Sequence, residues 1–148
     1  AGWLDKAAQG NARFEDPVSN LIEQRGRAQI KLANGEHDDA LRLAQAAAAQ
    51  AEEVGEAIEA GISHRVLGQA FAANGRSQEA DVAFQRSSEI LGERFPYEFA
   101  RTQLAWGLAD LDRGETSQGQ GRLAKAQAIF QQLGAQAELT VLAEQLAR

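Results

Sequence analysis

A turn that recurs at a fixed spacing constrains this chain more than any other feature. Its clearest copy reads Ala73-Asn74-Gly75-Arg76-Ser77-Gln78-Glu79-Ala80. An earlier copy is Ala33-Asn34-Gly35-Glu36-His37-Asp38-Asp39-Ala40. A later one, Asp112-Arg113-Gly114-Glu115-Thr116-Ser117-Gln118-Gly119, follows at nearly the same interval. Gly35, Gly75 and Gly114 thus mark a period of about 40 residues, and such a period with helical patterning on both sides means stacked helix–turn–helix units. The turn glycine supplies the positive φ that ends a helix. Ser77 and Thr116 then stand at the expected N-cap of the following helix, with His37 or Asp38 in the equivalent place.

Two prolines extend the ruler. Pro17 and Pro96 stand two periods apart, and each precedes its turn glycine, Gly35 or Gly114, by the same distance. Proline is well tolerated at the first helical position, where its missing N–H would have no partner anyway. The spacing predicts first helices at about 18–33, 57–73 and 97–112, with partners at about 37–54, 77–92 and 116–133. The expected units are 17–55, 56–94 and 95–134. A helix over about 135–147, with Ala135, Leu139, Leu142 and Leu146 on one face, is expected to cap the stack within 135–148. Trp3, Leu4, Ala7, Ala8 and Phe14 give residues 1–16 helical spacing without a partner, the pattern of a remnant second helix from an upstream unit.

Composition narrows the function classes. Strong helix formers dominate and only two prolines occur, so an all-α chain is favoured. A net charge of −6 argues against a nucleic-acid surface, which draws its affinity from basic side chains. No apolar run of about 18 residues predicts a membrane span, and no secretory signal opens the chain. Cysteine is absent, which fits a reducing cytoplasm. Methionine is absent too, and a start at Ala1-Gly2-Trp3 predicts a piece of a longer protein.

Leu67-Gly68, Phe71, Gly75, Ala80, Phe84 and Ser87 carry the middle unit's pattern, and it resembles the tetratricopeptide-repeat signature. The first unit keeps Ala28, Gly35, Ala40 and Ala47 but has Lys31 and Ala44 where aromatics are usual. The third keeps Gly107, Gly114, Leu123 and Ala126, with Asp110 at the first aromatic position. That departure reads as a one-residue register shift in its first helix, whose apolar face would be Leu104, Leu108 and Leu111. The long period and the segment from Ala128 to Ala135 resemble the C-terminal arrays of large bacterial regulators, namely ATP-dependent transcription regulators of the maltose-regulator type and their cyclase-linked relatives. The resemblance implies a right-handed α-solenoid whose first helices line a concave groove.

Arg25 and Gln29 in the first unit recur as Arg65 and Gln69 in the second. Guanidinium forks suit carboxylates, and amides suit an extended peptide backbone. The resemblance implies that such a pair helps hold a peptide. The same recurrence fits a solvated polar stripe on amphipathic helices. Arg101, with Ile22, Leu32, Ile62, Ala72, Ala73, Leu104 and Leu108, completes the expected groove. The expectation is a non-enzymatic module, without cofactor or metal, that binds a peptide or partner helix. Two alternatives stand beside it: an effector-sensing or intramolecular regulatory domain, and a homo-oligomerisation module. No phosphate-binding glycine loop, GxSxG elbow or paired metal-ligand motif is present.

Overall fold

A computed structural model describes residues 16–147. Among them are seven α-helices and one short 3₁₀ turn, with no strand: α1 Pro17–Ala33, α2 His37–Val54, α3 Ala57–Ala73, α4 Ser77–Leu91, α5 Pro96–Asp112, α6 Thr116–Leu133 and α7 Gln136–Leu146. The remnant helix expected over residues 1–16 lies outside the described residues, apart from Asp16.

The three repeated turns share one hydrogen-bond scheme. Glu36, Arg76 and Glu115 donate their backbone N–H to Lys31, Phe71 and Asp110, closing the six-residue ring of a Schellman motif. Gly75, at φ +74°, takes the left-handed conformation this ring requires. The carbonyls of the same three residues accept from Ala40, Ala80 and Gly119, so each also serves as the N-cap of the next helix. This double duty corrects the expected caps. Ser77, Thr116 and His37 are the first helical residues, one place beyond the cap, and none of these three helix starts has a side-chain cap bond.

Each short turn folds its two helices back into an antiparallel pair, α1/α2, α3/α4 and α5/α6. Successive units join through α2 on α3 and α4 on α5, and the first helices α1, α3 and α5 also pack side by side. The second helices make no comparable contact with one another. First helices therefore form the closely packed inner face of the solenoid, and second helices the splayed outer one.

Close approach within the middle pair depends on Gly68. A Cβ there would lie 2.7 Å from the ring of Phe84, which is fully buried. Phe84 stacks on Trp106 of the next unit at 5.9 Å between centroids, so one apolar core runs from Ala28 through Phe71 to Trp106. A second core gathers Ala100, Leu123, Ala126 and Phe130 under Leu142 of α7.

The third unit keeps its register. Helices α3 and α5 are equally long and share the same offset at both ends, and Gly107 occupies the place of Gly68, with Leu123 packed where its Cβ would be. Asp110 stands buried at the aromatic position, held by two arginines. The expected one-residue shift does not occur, because charge pairing fills the space that a ring fills elsewhere.

Gly68→Ala is expected to lower stability by about 1–3 kcal/mol, since the buried ring has nowhere to move. Gly121→Ala, on an exposed turn of α6 where nothing lies within 4 Å, is expected to raise it by up to about 1 kcal/mol. Urea denaturation midpoints of the two variants test this pair. Equal midpoints would contradict the packing account.

Candidate docking groove

The inner seam between α1 and α3 is closed by a bidentate ion pair. Arg25 on α1 donates from Nε to Glu59 Oε2 at 3.0 Å and from Nη2 to Glu59 Oε1 at 3.1 Å. Its Nη1 donates to Gln29 Oε1 at 3.2 Å. The seam between α3 and α5 repeats the device. Arg65 Nη2 lies 3.1 Å from Glu98 Oε2, and Nη1 donates to the Glu98 backbone carbonyl at 3.2 Å. Arg65 is only 3% exposed, so it is closed to an arriving ligand. Burial lowers its pKa, and the neighbouring Glu98 works against that shift.

The geometry has a sequence logic. Both arginines are the ninth residue of a first helix, and both acids are the third residue of the next one. The ninth residue of α5 is Leu104, which packs in the apolar cluster that α7 covers. The arginine series thus stops at α5, although the third residue of α7 is again an acid: with leucine in the arginine's place, Glu138 takes the Tyr97 hydroxyl instead.

Of the five residues expected to contact a ligand, Arg25, Gln29 and Arg65 are drawn into these seams. Gln69 and Arg101 remain exposed. Arg101 sits 3.7 Å from Glu98 Oε1, with its guanidinium 5.9 Å from the Tyr97 ring centre. Glu59 and Glu98 are the residues the sequence reading missed. Their own recurrence, one repeat apart, was the available signal.

Gln69 leads into a cavity of about 440 Å³ at the turn edge of the groove. Ala72 and Ala73 of α3, and Ala105, Leu108 and Asp112 of α5, line it above the ring of Phe84. One wall is a ring of charge. Trp106 Nε1 donates to Asp81 Oδ1 at 2.9 Å, and Arg113 bridges Asp81 at 3.0 Å and Asp110 at 2.8 Å. Arg122 completes it, 2.9 Å from Asp110 Oδ2 and stacked 3.5 Å over Trp106. The charged groups of this ring satisfy one another, an arrangement that favours a cavity formed without a ligand.

Two further side-chain clusters link helices elsewhere in the fold. His64 Nε2 lies 2.9 Å from Glu52 Oε1, which also takes Arg86 Nε at 2.8 Å. Burial lowers the His64 pKa, against the pull of Glu52. The hydrogen bond from Arg86 lowers that of Glu52. Tyr97 packs edge-on to Phe130 and its hydroxyl bonds Glu138 of α7, so this aromatic ties the last helix down. Among the described residues no group of three or more His, Cys, Asp and Glu side chains is placed to hold a metal ion. No described helix is long and apolar enough to cross a membrane.

Removing the acid from the deeper seam strands a buried cation. Glu98→Gln is expected to cost about 3–5 kcal/mol, and Arg65→Leu in the same chain to recover most of it. Chemical denaturation of both variants checks this; a cost near the roughly 0.5 kcal/mol of a surface change would contradict it. His64 makes a pH prediction. Its folded pKa lies below the ordinary 6.5, so the unfolded chain binds this proton first as pH falls. Its contribution is complete above about pH 6.5 and is lost below that as the pH drops through the folded value. The Glu52 shift acts in the same sense at lower pH. NMR titration is expected to place His64 below free histidine, and a midpoint at or above 6.5 would contradict it.

Comparison with known proteins agrees with this geometry. Residues 22–93 match the tetratricopeptide repeat family. No curated protein matches the chain. Among solved structures, the nearly identical TPR-like repeats of a Podosopora anserina protein described as a putative kinesin light chain superpose with a TM-score of 0.67. The two are 22% identical, over 86% of this chain and 67% of that one. A variant of the same protein gives a TM-score of 0.66 at 20% identity, over 86% of this chain and 66% of that one. The chain thus spans about two thirds of the length of these structures. Residues 22–93 are similar to tetratricopeptide repeats in sequence, and the described chain has the fold of TPR-like repeats.

Proposed function

We propose that this array is a protein-interaction module that holds a peptide or partner helix against its inner face. Tetratricopeptide repeats generally mediate protein–protein interaction, and the match over residues 22–93 supports that class of function. One observation carries the more specific reading. The groove opens into a preformed cavity of about 440 Å³ with an apolar floor and a few convergent polar groups. Gln69 and Leu108 at the cavity are the proposed contacts, with Arg101 farther along α5 as a third on the groove. Arg25, Gln29 and Arg65 shape the groove wall by locking α1, α3 and α5 together. The resemblance of the C-terminal segment to bacterial regulator arrays supports a place within a larger cytoplasmic regulatory protein.

The test is selection of peptides from a displayed random library against the full chain, followed by solution affinities. Ala73 is exposed at the cavity mouth, and Ala73→Trp fills it. That variant is expected to weaken the selected peptides at least about tenfold, a loss of roughly 1.4 kcal/mol. Val82→Asp, on the outer face where Val82 is 71% exposed, is expected to leave affinity unchanged. Binding that survives Ala73→Trp would overturn the groove assignment, and its loss with Val82→Asp would move the site to the outer face. A chain that selects no peptide and forms a dimer in solution would favour self-association instead.

A further inference from the structure

We infer that the turn-edge cavity is a subsite for a basic side chain, lysine or arginine, of the bound peptide; the inference rests on the groove reading above. The arginines that suggest an acidic ligand are the ones the fold consumes: Arg25 and Arg65 are neutralised by Glu59 and Glu98. What remains at the cavity has the opposite sign.

Three carboxylates, Asp81, Asp110 and Asp112, stand around it or behind its wall against two guanidinium groups, Arg113 and Arg122. Asp110 and Asp81 are spoken for. Asp112 is exposed on the cavity rim and joins none of the ion pairs formed among the described residues. The helix ends add to the same sign. The C-terminal ends of α3 and α5 both reach the cavity, at Ala73 and Asp112, against the single N-terminal end of α4 at Ser77. Each end carries about half a charge, negative at a C-terminus and positive at an N-terminus, so the balance deepens the negative potential.

Shape agrees with charge. Ala72, Ala73, Ala105 and Leu108 give the cavity apolar sides, with Gln69 and Asp112 among the residues that line it. An aliphatic stem ending in a cation fits that set of surfaces, because such side chains bury the stem and keep the head with an acid or water. The corresponding positions of the preceding joint, Leu32 and Leu41, replace Ala72 and Asp81 with larger apolar side chains. There Asn74 Nδ2 also bridges to the His37 carbonyl at 2.9 Å. The acid-rimmed cavity therefore belongs to the joint between the second and third units.

The experiment uses the peptides selected above and the full chain. Selected sequences are expected to be enriched in lysine or arginine at one position. Asp112→Lys is expected to weaken them about tenfold or more through like-charge contact. A peptide with that lysine changed to methionine is expected to bind weakly and to ignore Asp112→Lys. Peptides that lose binding with Ala73→Trp, yet lack a basic position and bind Asp112→Lys at full strength, would overturn the subsite while leaving the groove reading intact. Peptides indifferent to Ala73→Trp would overturn both.

Discussion

The pairing of Arg65 with Glu98 is the contact on which the inner face depends. A first helix can lie beside the next only if something fills the seam between them, and a buried guanidinium is a costly filler unless a carboxylate meets it. Glu98 does so with both its side chain and its backbone carbonyl. Arg25 and Glu59 do the same one period earlier. The rest follows: α1, α3 and α5 are held side by side, the second helices splay outward, and the groove wall is formed by the fold itself.

The middle pair shows how the two kinds of filling cooperate. Gly68 lets Phe84 in, Phe84 passes its ring to Trp106, and Trp106 hands its indole N–H to Asp81. The apolar core thus ends in a polar network at the third unit. Asp110 is the pivot of that network. It occupies a site that holds Phe71 one repeat earlier and is buried there because Arg113 and Arg122 satisfy both of its oxygens. A repeat tolerates such an exchange because its geometry is set by glycine turns and small-residue contacts, while the filling differs between units.

That contrast explains what the sequence made legible. The glycine turns and prolines repeat as a local ruler, so the described helices fall within a residue or so of their expected bounds. Local chemistry that serves two masters is harder to read. Arg76 closes one helix and opens the next with its backbone, which leaves Ser77 one place inside the helix rather than on its cap. Arg25 and Arg65 were visible as a recurring pair on one face. Their partners were not, because Glu59 and Glu98 look like ordinary first-turn acids until the third dimension brings them 33 or 34 residues back along the chain. Recurrence marks a shared face; it does not say whether that face meets a ligand or the next helix.

The state of the arginine side chains themselves tests this account most directly. Nitrogen-15 NMR of the guanidinium groups resolves how fast each N–H exchanges with water. A clamp predicts slow exchange for Arg65, intermediate exchange for Arg25 and fast exchange for Arg101, whose side chain is 45% exposed. Addition of a bound peptide should leave the Arg65 signal in place. Exchange at Arg65 as fast as at Arg101, or a large shift of its signal on peptide binding, would contradict the claim that the fold has already used this arginine.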